Sequence, residues 1–303
     1  MIIALIQRSY FEEGLKIANS LRSEVLEFAE KMFPDGEQYV RIIDPNKLEN
    51  NVVLIIGTLY PGQDVSLFKT LLLADASRRH RAREIIGVIP YVAYSRQDKA
   101  FLPGEPVSAE LVIDMFKAAG FTGLLTVDIH NPDVLKSFGD KAVNIFISDL
   151  LVERALKYVS DPVVISPDKG ALNRARYAAE IHGLEYDYMV KSRDRITGVI
   201  SYATKSVDIN GRDAVLIDDI ISTGGTIAEA SKILYEKGAR RVVVAASHGL
   251  MVGDALSKLE KANIHKVILA NTLGIRHRHE LIEYVDISGR VADEVSTFLA
   301  KLK

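Results

Sequence analysis

Two adjacent acids and a glycine-rich hydroxyl turn stand close together in the stretch VLIDDIISTGGTIAEA, residues 215–230. Apolar residues lead into Asp218 and Asp219, a pattern that predicts a strand ending at the two carboxylates. The turn at 222–226 then opens a helix-periodic segment, and backbone N–H groups at a helix N-terminus favour an anion. Its glycines permit positive φ and let a phosphate approach the main chain. Carboxylates repel phosphate, so we expect them to accept hydrogen bonds from sugar hydroxyls or to bind a metal. The stretch predicts a site for a phosphorylated sugar, with an ordinary strand-to-helix turn as the alternative.

The segment DDIISTGGT resembles the phosphoribosyl diphosphate (PRPP) loop shared by type I phosphoribosyltransferases and PRPP synthetases. The resemblance implies that Asp218 and Asp219 face the ribose hydroxyls. It assigns the 5-phosphate of ribose 5-phosphate to the loop residues Ser222, Thr223, Gly224, Gly225 and Thr226. The loop alone does not separate the two kinds of enzyme.

Further stretches are similar to PRPP synthetases in order and spacing. They are FPDGEQ at 33–38, YSRQD at 94–98, VDIH at 127–130, SPDKG at 166–170 and KSR at 191–193. The resemblance covers the chain from about residue 33 to residue 226. It implies that the anomeric hydroxyl of ribose 5-phosphate attacks the β-phosphorus of Mg-ATP, giving PRPP and AMP.

The resemblance also assigns residues to ATP. The Pro-Asp-Gly triplet of FPDGEQ is typical of a turn, and in the family this turn meets the adenine and ribose of ATP bound to a neighbouring subunit. It therefore implies a homo-oligomer with a nucleotide site shared between subunits. The implied ATP residues are Phe33, Asp35, Gly36, Glu37, Arg96, Gln97, Asp98 and His130.

Magnesium and the diphosphate have their own candidate residues. The resemblance assigns Mg²⁺ to His130 and Asp168. Magnesium prefers oxygen ligands, so a hydrogen bond from His130 to phosphate or to a metal-bound water is an alternative for the histidine. The PDKG turn opens a helix and is a second anion site, suited to the diphosphate. This diphosphate turn comprises Asp168, Lys169, Gly170 and Ala171.

Lys191 and Arg193 lie in the charge-rich segment KSRDR. A solvated hairpin is the simplest interpretation of such a segment. Phosphoryl transfer, however, needs cations at the developing negative charge. The resemblance makes these two residues the catalytic pair and gives Arg193 a contact with ribose 5-phosphate as well.

The sequence departs from many PRPP synthetases at two places. Ser222 stands where many of them have an aspartate, which makes the loop similar to that of a phosphoribosyltransferase. The segment 99–110 has few basic residues, so phosphate activation and ADP inhibition are not carried over. A type I phosphoribosyltransferase and a non-catalytic PRPP synthetase homologue are the alternatives to a PRPP synthetase.

The elements that position these residues follow from periodicity. Short β-branched runs alternate with helix-periodic segments, which predicts an α/β fold with mainly parallel sheets flanked by helices. By resemblance these are two type I phosphoribosyltransferase-like domains, 1–143 with the ATP residues and 144–285 with the ribose 5-phosphate loop. A final helix at 286–303, capped by Ser288, has no assigned packing partner. In the second domain we expect strands at Tyr186–Val190 and Ala214–Ile220, and helices at Ala171–His182 and Thr226–Lys237.

Composition narrows the function classes. The chain has 303 residues, 48% hydrophobic and 26% charged, with a formal net charge of −2. A charge near zero gives no general attraction to nucleic acid or to a membrane surface. The chain has no cysteine, which excludes disulfides, thiolate metal sites and a cysteine nucleophile. No run approaches the roughly 20 apolar residues of a membrane span, so we expect a cytoplasmic protein. Lacking cysteine and tryptophan, the chain resembles archaeal members of the family.

Overall fold

Two compact units share the chain. The computed structural model describes residues 1–193, 200–204 and 206–302. The N-terminal unit comprises Met1–Ile145, Thr272–Ile275 and Ile287–Lys303, and the C-terminal unit comprises Phe146–Asn271 and Arg276–Asp286. Each unit has a mainly parallel sheet with helices, which confirms the predicted α/β class. Within the described ranges, no helix has the length and apolar character that crossing a bilayer requires.

The first 145 residues form a six-stranded parallel sheet, a two-stranded hairpin and three α-helices. The elements are β1 (Ile2–Ile6), α1 (Phe11–Ser20), β2 (Glu24–Val25), β3 (Phe28–Met32), β4 (Gln38–Ile42), β5 (Val52–Ile56), α2 (Gln63–Arg79), β6 (Glu84–Val88), α3 (Ser108–Ala119), β7 (Gly123–Val127) and β8 (Ala142–Ile145). The sheet order is β2-β1-β5-β6-β7-β8, and β3 pairs with β4 alone. Strands β5 and β7 are buried throughout, because a parallel sheet covered on both faces requires apolar residues at successive positions.

The C-terminal unit contains a seven-stranded sheet in the order β11-β10-β9-β12-β13-β14-β15. Its elements are α4 (Ser148–Ala155), β9 (Pro162–Ser166), α5 (Leu172–His182), β10 (Glu185–Arg193), β11 (Ile200–Thr204), β12 (Asp213–Ile221), α6 (Gly225–Glu236), β13 (Arg241–Gly249), α7 (Ala255–Lys261), β14 (Lys266–Ala270) and β15 (Ile282–Val285). Only the β10–β11 pair is antiparallel in the described part of this sheet. The predicted strand Ala214–Ile220 and helix Thr226–Lys237 are confirmed to within one residue at each end.

The last helix, α8 (Ser288–Lys301), belongs to the N-terminal unit. It lies beside α1, and the Phe298 ring covers Gly123 on β7, where an added Cβ would lie 2.6 Å from Phe298 Cζ. The prediction that Ser288 caps this helix is wrong. Ile287 holds the cap position, and Ser288 is the first helical residue.

Strand register brings the predicted site segments of each unit to one edge of its sheet. In the C-terminal unit β9 and β12 are parallel neighbours, with Leu216 opposite Ile165. The diphosphate turn after β9 and the phosphate loop after β12 therefore leave adjacent carboxyl ends, where α/β folds bind ligands. In the N-terminal unit β6 and β7 are parallel neighbours, so the segments carrying Arg96 and His130 follow adjacent strands.

Candidate functional site

The phosphate loop, residues 222–226, joins the end of β12 to the start of α6. Gly224 holds the cap position with φ +73° and has no side chain to cap the helix. The first N–H groups of an α-helix have no intrahelical partners. Thr223, Gly225 and Thr226 are exposed. The loop therefore presents uncapped N–H donors and two threonine hydroxyls to an anion at the positive end of the helix dipole.

A neighbouring segment after β13 supports the phosphate loop. Met251 N–H donates to the Ile221 carbonyl at 3.1 Å, and Val252 N–H donates to the Ser222 carbonyl at 2.9 Å. A Cβ added at Gly224 would lie 3.2 Å from the Ala255 carbonyl oxygen. The loop backbone is thus fixed from one side by residues 251–255. The sequence reasoning missed this support because it depends on contacts between separate strand ends.

The two acids ahead of the loop have different surroundings. Asp219 is buried, at 4% exposure, whereas Asp218 is half-buried. Asp219 N–H donates to Asp218 Oδ1 at 2.9 Å. Burial, together with the neighbouring Asp219 carboxylate, raises the pKa of Asp218 well above the usual aspartate value. Of the pair, Asp218 is the carboxylate that solvent and a ligand can reach.

Arg174 is the cation beside this pair. It lies in the first turn of α5, is 6% exposed, and places Nη1 3.8 Å from Asp219 Oδ1. Sequence reasoning missed it, since an arginine within a helix is usually a surface charge. The signal was its position in the first turn, where a positive charge is disfavoured by the helix dipole.

The diphosphate turn lies between β9 and α5. Asp168 Oδ1 accepts hydrogen bonds from Gly170 N–H at 2.7 Å and Ala171 N–H at 3.2 Å. The carboxylate thus occupies donors that an anion would use. An anion bound through these two N–H groups has to displace Asp168, which frees its carboxylate for another partner. Asp168, Lys169 and Gly170 are exposed.

Asp168 and His130, the predicted magnesium residues, suit a magnesium ion only when a substrate supplies further ligands. Among the described residues, no three His, Asp or Glu side chains form a group that could hold a metal. Asp168 lies in the C-terminal unit and His130 in the N-terminal unit. Magnesium commonly uses one or two carboxylates plus waters and substrate phosphates. An exposed Asp168, displaceable from its turn, suits that mode.

In the N-terminal unit, FPDGEQ forms the turn of the β3–β4 hairpin. Phe33 N–H donates to the Glu37 carbonyl at 2.8 Å, and Gly36 N–H to the Phe33 carbonyl at 2.9 Å. Asp35 Oδ1 accepts from Glu37 N–H at 3.2 Å. Gly36 has φ +97°, a conformation that favours glycine. Asp35, Gly36 and Glu37 are exposed at the end of the hairpin.

The hairpin is held by side-chain contacts on both of its strands. Lys31 Nζ lies 4.3 Å from the centre of the Phe33 ring and 5.1 Å from that of Tyr39. The two rings meet edge to face at 5.8 Å. Glu30 on the same hairpin forms an ion pair of 2.9 Å with Lys69 on α2. Phe33 is therefore oriented before any ligand binds.

Hydrogen bonds join the segments after β6 and β7. Asn131 Nδ2, next to His130, donates to Asp98 Oδ2 at 2.8 Å. The Ser108 hydroxyl, at the start of α3, donates to Gln97 Oε1. Arg96 and His130 are exposed. Asn131 and Ser108, both missed from sequence, thus position the predicted nucleotide residues around them.

Lys191 and Arg193 lie at the end of β10, which extends beyond the predicted strand Tyr186–Val190. The reason is the antiparallel pairing with β11, in which Lys191 lies opposite Tyr202 and Arg193 opposite Ile200. The side chains of both residues lie outside what the structure describes.

Two family models match this chain. One, described as the N-terminal domain of ribose phosphate pyrophosphokinase, matches residues 2–120. The other, described as the phosphoribosyl synthetase-associated domain, matches residues 199–301.

Similar proteins extend the match along the chain. A ribose-phosphate pyrophosphokinase of Aeropyrum pernix is 37% identical over 96% of this chain and 94% of its own. One from Pyrococcus furiosus is 40% identical over 80% of this chain and 85% of its own. The crystal structure of phosphoribosylpyrophosphate synthetase from Mycobacterium smegmatis matches with a TM-score of 0.89 and 28% identity, covering 99% of each chain. Together these matches span both units.

Proposed function

The chain belongs to the ribose-phosphate pyrophosphokinase family and forms PRPP from ribose 5-phosphate. We propose the following roles for its residues in that reaction. The diphosphoryl group of Mg-ATP passes to the anomeric hydroxyl of ribose 5-phosphate, and AMP leaves. The observation that carries the proposal is the uncapped N-terminus of α6, which follows the Asp218–Asp219 pair after the end of β12 and the loop.

The C-terminal unit binds the acceptor. The 5-phosphate accepts hydrogen bonds from the backbone and hydroxyl groups of residues 222–226, and Asp218 accepts hydrogen bonds from the ribose hydroxyls. Ser222 suits this role without an additional carboxylate, because a second negative charge beside the phosphate would repel it. The loop and Asp218 together thus hold the 5-phosphate and the hydroxyls of the sugar before transfer.

In the transfer step, the anomeric oxygen forms a bond with the β-phosphorus of ATP. The bond from that phosphorus to the oxygen bridging it to the α-phosphorus breaks, and AMP departs with this oxygen. The anomeric hydroxyl releases its proton to water. Lys191 and Arg193 stabilise the charge on the transferred group, a role suited to cations that act in the transition state. The diphosphate turn receives the two transferred phosphates.

Magnesium is part of the proposal. Asp168 would hold it with the ATP phosphates, and His130 would bind the metal or a phosphate oxygen. When bound, the ion neutralises charge on the phosphates and orients them.

The N-terminal unit binds ATP. Arg96, Gln97 and Asp98 follow β6, and the exposed turn at Phe33, Asp35, Gly36 and Glu37 completes the nucleotide site of a neighbouring subunit. The proposal therefore includes a homo-oligomer. It also includes a cytoplasmic location, where ATP and ribose 5-phosphate are both available.

One assay tests the reaction. Purified protein is incubated with Mg²⁺, ATP and ribose 5-phosphate, and the nucleotides are separated. We expect AMP and PRPP in equal amounts and no AMP when ribose 5-phosphate is omitted. Formation of ADP in place of AMP would contradict diphosphoryl transfer. A type I phosphoribosyltransferase or a non-catalytic homologue would release no AMP.

A further inference from the structure

Arg174 lies between two segments that the proposed function treats separately. Its helix, α5, begins immediately after the diphosphate turn. Its guanidinium is directed at Asp219 on β12, with Nη1 3.8 Å from Oδ1. Both side chains are almost fully buried, at 7% and 5% exposure. The contact therefore connects α5 to the strand β12, which carries both aspartates near its carboxyl end.

A buried arginine in the first turn of a helix has a cost. The positive end of the helix dipole disfavours it, and a guanidinium removed from water needs a partner. No acidic residue lies in the first turn of α5 to offset this charge. A residue type that local helix preferences disfavour marks a position where a contact elsewhere in the fold determines the residue. Here the partner is an acid on a different element, Asp219.

The charge balance at the strand end depends on the same contact. Asp218 and Asp219 are consecutive, and Asp219 N–H also donates to Asp218 Oδ1 at 2.9 Å. Two carboxylates this close in a partly buried site repel each other, and without a cation one of them gains a proton. Arg174 forms an ion pair with Asp219, and its charge opposes the rise in the pKa of Asp218 that burial and Asp219 cause. An ionised Asp218 can accept hydrogen bonds from ribose hydroxyls with both of its oxygens.

We propose that Arg174 is a positioning residue for ribose 5-phosphate, acting through Asp219 on the carboxylate of Asp218. The inference rests on the proposed function, since it takes Asp218 as the group that binds the ribose. In this proposal Arg174 does not contact the substrate. Arg174 forms an ion pair with Asp219. The backbone N–H of Asp219 in turn donates a hydrogen bond to the Asp218 carboxylate.

The test replaces Arg174 and measures the two substrates separately. Arg174→Met keeps the length of the side chain and removes its charge. We expect the KM for ribose 5-phosphate to rise at least about 10-fold, on the scale of losing one partner of a buried charge pair, while the KM for ATP changes less than about 2-fold. Arg174→Lys keeps the charge, and we expect it to recover most of the lost affinity. Arg176→Met changes an exposed arginine on the same helix and should leave both constants unaltered.

A second measurement separates positioning from loss of folding. Thermal unfolding of each variant is followed with Mg²⁺ and α,β-methylene-ATP, a non-reacting analogue, with and without ribose 5-phosphate. For Arg174→Met we expect the stabilisation by the analogue to persist and the further stabilisation by ribose 5-phosphate to be lost. Equal loss of both stabilisations, or a fall in kcat with an unchanged KM for ribose 5-phosphate, overturns the inference.

Two further variants distinguish this inference from the proposed function. In the Asp219→Asn background, Arg174→Met should raise the KM for ribose 5-phosphate little further, because coupled residues are not additive. Full additivity contradicts action through Asp219. If Asp218→Asn alone leaves the KM for ribose 5-phosphate unchanged, the proposed sugar site itself is wrong. If that variant weakens binding and Arg174→Met does not, only the role of Arg174 is wrong.

Discussion

At the scale of single residues, folding and the proposed ligand binding favour different protonation states of Asp218. Its pKa is raised by burial and by the Asp219 carboxylate, so the folded protein binds this proton more tightly than the unfolded chain does. The stabilising contribution is complete at pH values below the ordinary aspartate pKa and is lost as the pH rises through the raised folded value. The proposed ribose site, in contrast, uses the ionised carboxylate.

Asp218→Asn therefore should stabilise the protein at neutral pH and weaken binding of ribose 5-phosphate. We expect a rise in Tm of about 2–4 °C at pH 8, the shift produced by about 1 kcal/mol in a unit of this size, and a smaller rise at pH 5. Calorimetry across this range measures it. Glu229→Gln, at an exposed position on α6, is the control. A lower Tm for Asp218→Asn at pH 8 would contradict the electrostatic explanation.

Lys191 provides a second prediction at this scale. Lys191→Ala removes a cation assigned to the transition state, so turnover should fall by roughly 10² to 10⁴, with a smaller change in KM. AMP release under saturating substrates measures the loss. Lys232→Ala, an exposed lysine on α6, should retain full turnover. Near wild-type turnover in Lys191→Ala would remove this residue from the catalytic pair.

At the scale of elements, the start of α6 depends on one glycine. Gly224 has φ +73°, and a Cβ there would lie 3.2 Å from the Ala255 carbonyl oxygen and 3.4 Å from Leu259 Cδ2. Gly211 has nearly the same φ, +74°, but open space around an added Cβ. Comparing alanine substitutions at the two glycines therefore separates the cost of the left-handed backbone from the cost of contact with residues 255–259.

Gly224→Ala should thus lower stability more than Gly211→Ala. Each loses about 1–2 kcal/mol to the left-handed conformation, and only Gly224→Ala must also shift the phosphate loop. Urea unfolding gives the first quantity, and the KM for ribose 5-phosphate gives the second. We expect that KM to rise only in Gly224→Ala. Equal KM values for the two variants would show that the loop tolerates the shift.

The strands that could be predicted from sequence are those that a local residue pattern determines. Buried parallel strands have continuous apolar runs, so the strand predicted at Ala214–Ile220 was found, as β12 (Asp213–Ile221). The hairpin strand Phe28–Met32, FAEKM, was not predicted, because an adjacent acid and base interrupt its apolar residues and the strand is defined by pairing with Gln38–Ile42. The extension of β10 through Arg193 was missed for the same reason, since it depends on pairing with Ile200–Thr204.

The candidate site divides in a similar way. The residues proposed to bind ligands stand in contiguous motifs, so the sequence alone could nominate them as a set. Residues that position them could not, because each acts on a partner distant in sequence. Arg174 contacts Asp219, Asn131 contacts Asp98, and Met251 contacts Ile221. These pairings are properties of the folded chain alone.

At the scale of the whole molecule, the proposal of a nucleotide site shared between subunits predicts recovery of activity on mixing. One variant carries Asp35→Ala and Glu37→Ala in the hairpin turn, and the other carries Arg96→Ala. Each alone should have little activity. In a symmetric dimer with random exchange, half of the molecules combine both kinds of subunit, and one of their two sites is intact, so about a quarter of full activity returns.

The mixing experiment requires subunit exchange, for which the two variants are unfolded in urea together and refolded. Refolding each variant separately before mixing is the control. Activity that stays at the level of the separate variants would mean that the hairpin turn serves its own subunit.

The position of α8 has a consequence for synthesis on the ribosome. The N-terminal unit includes Ile287–Lys303, and Phe298 covers Gly123 on β7. Domains generally fold in the order in which they are made, but here the first 145 residues lack part of their core until α8 has emerged. The C-terminal unit, in contrast, has all of its residues once position 286 has been translated. The half of the chain that is made second should therefore be the first to complete its fold. The nascent N-terminal unit keeps apolar surface exposed until the last helix has been made.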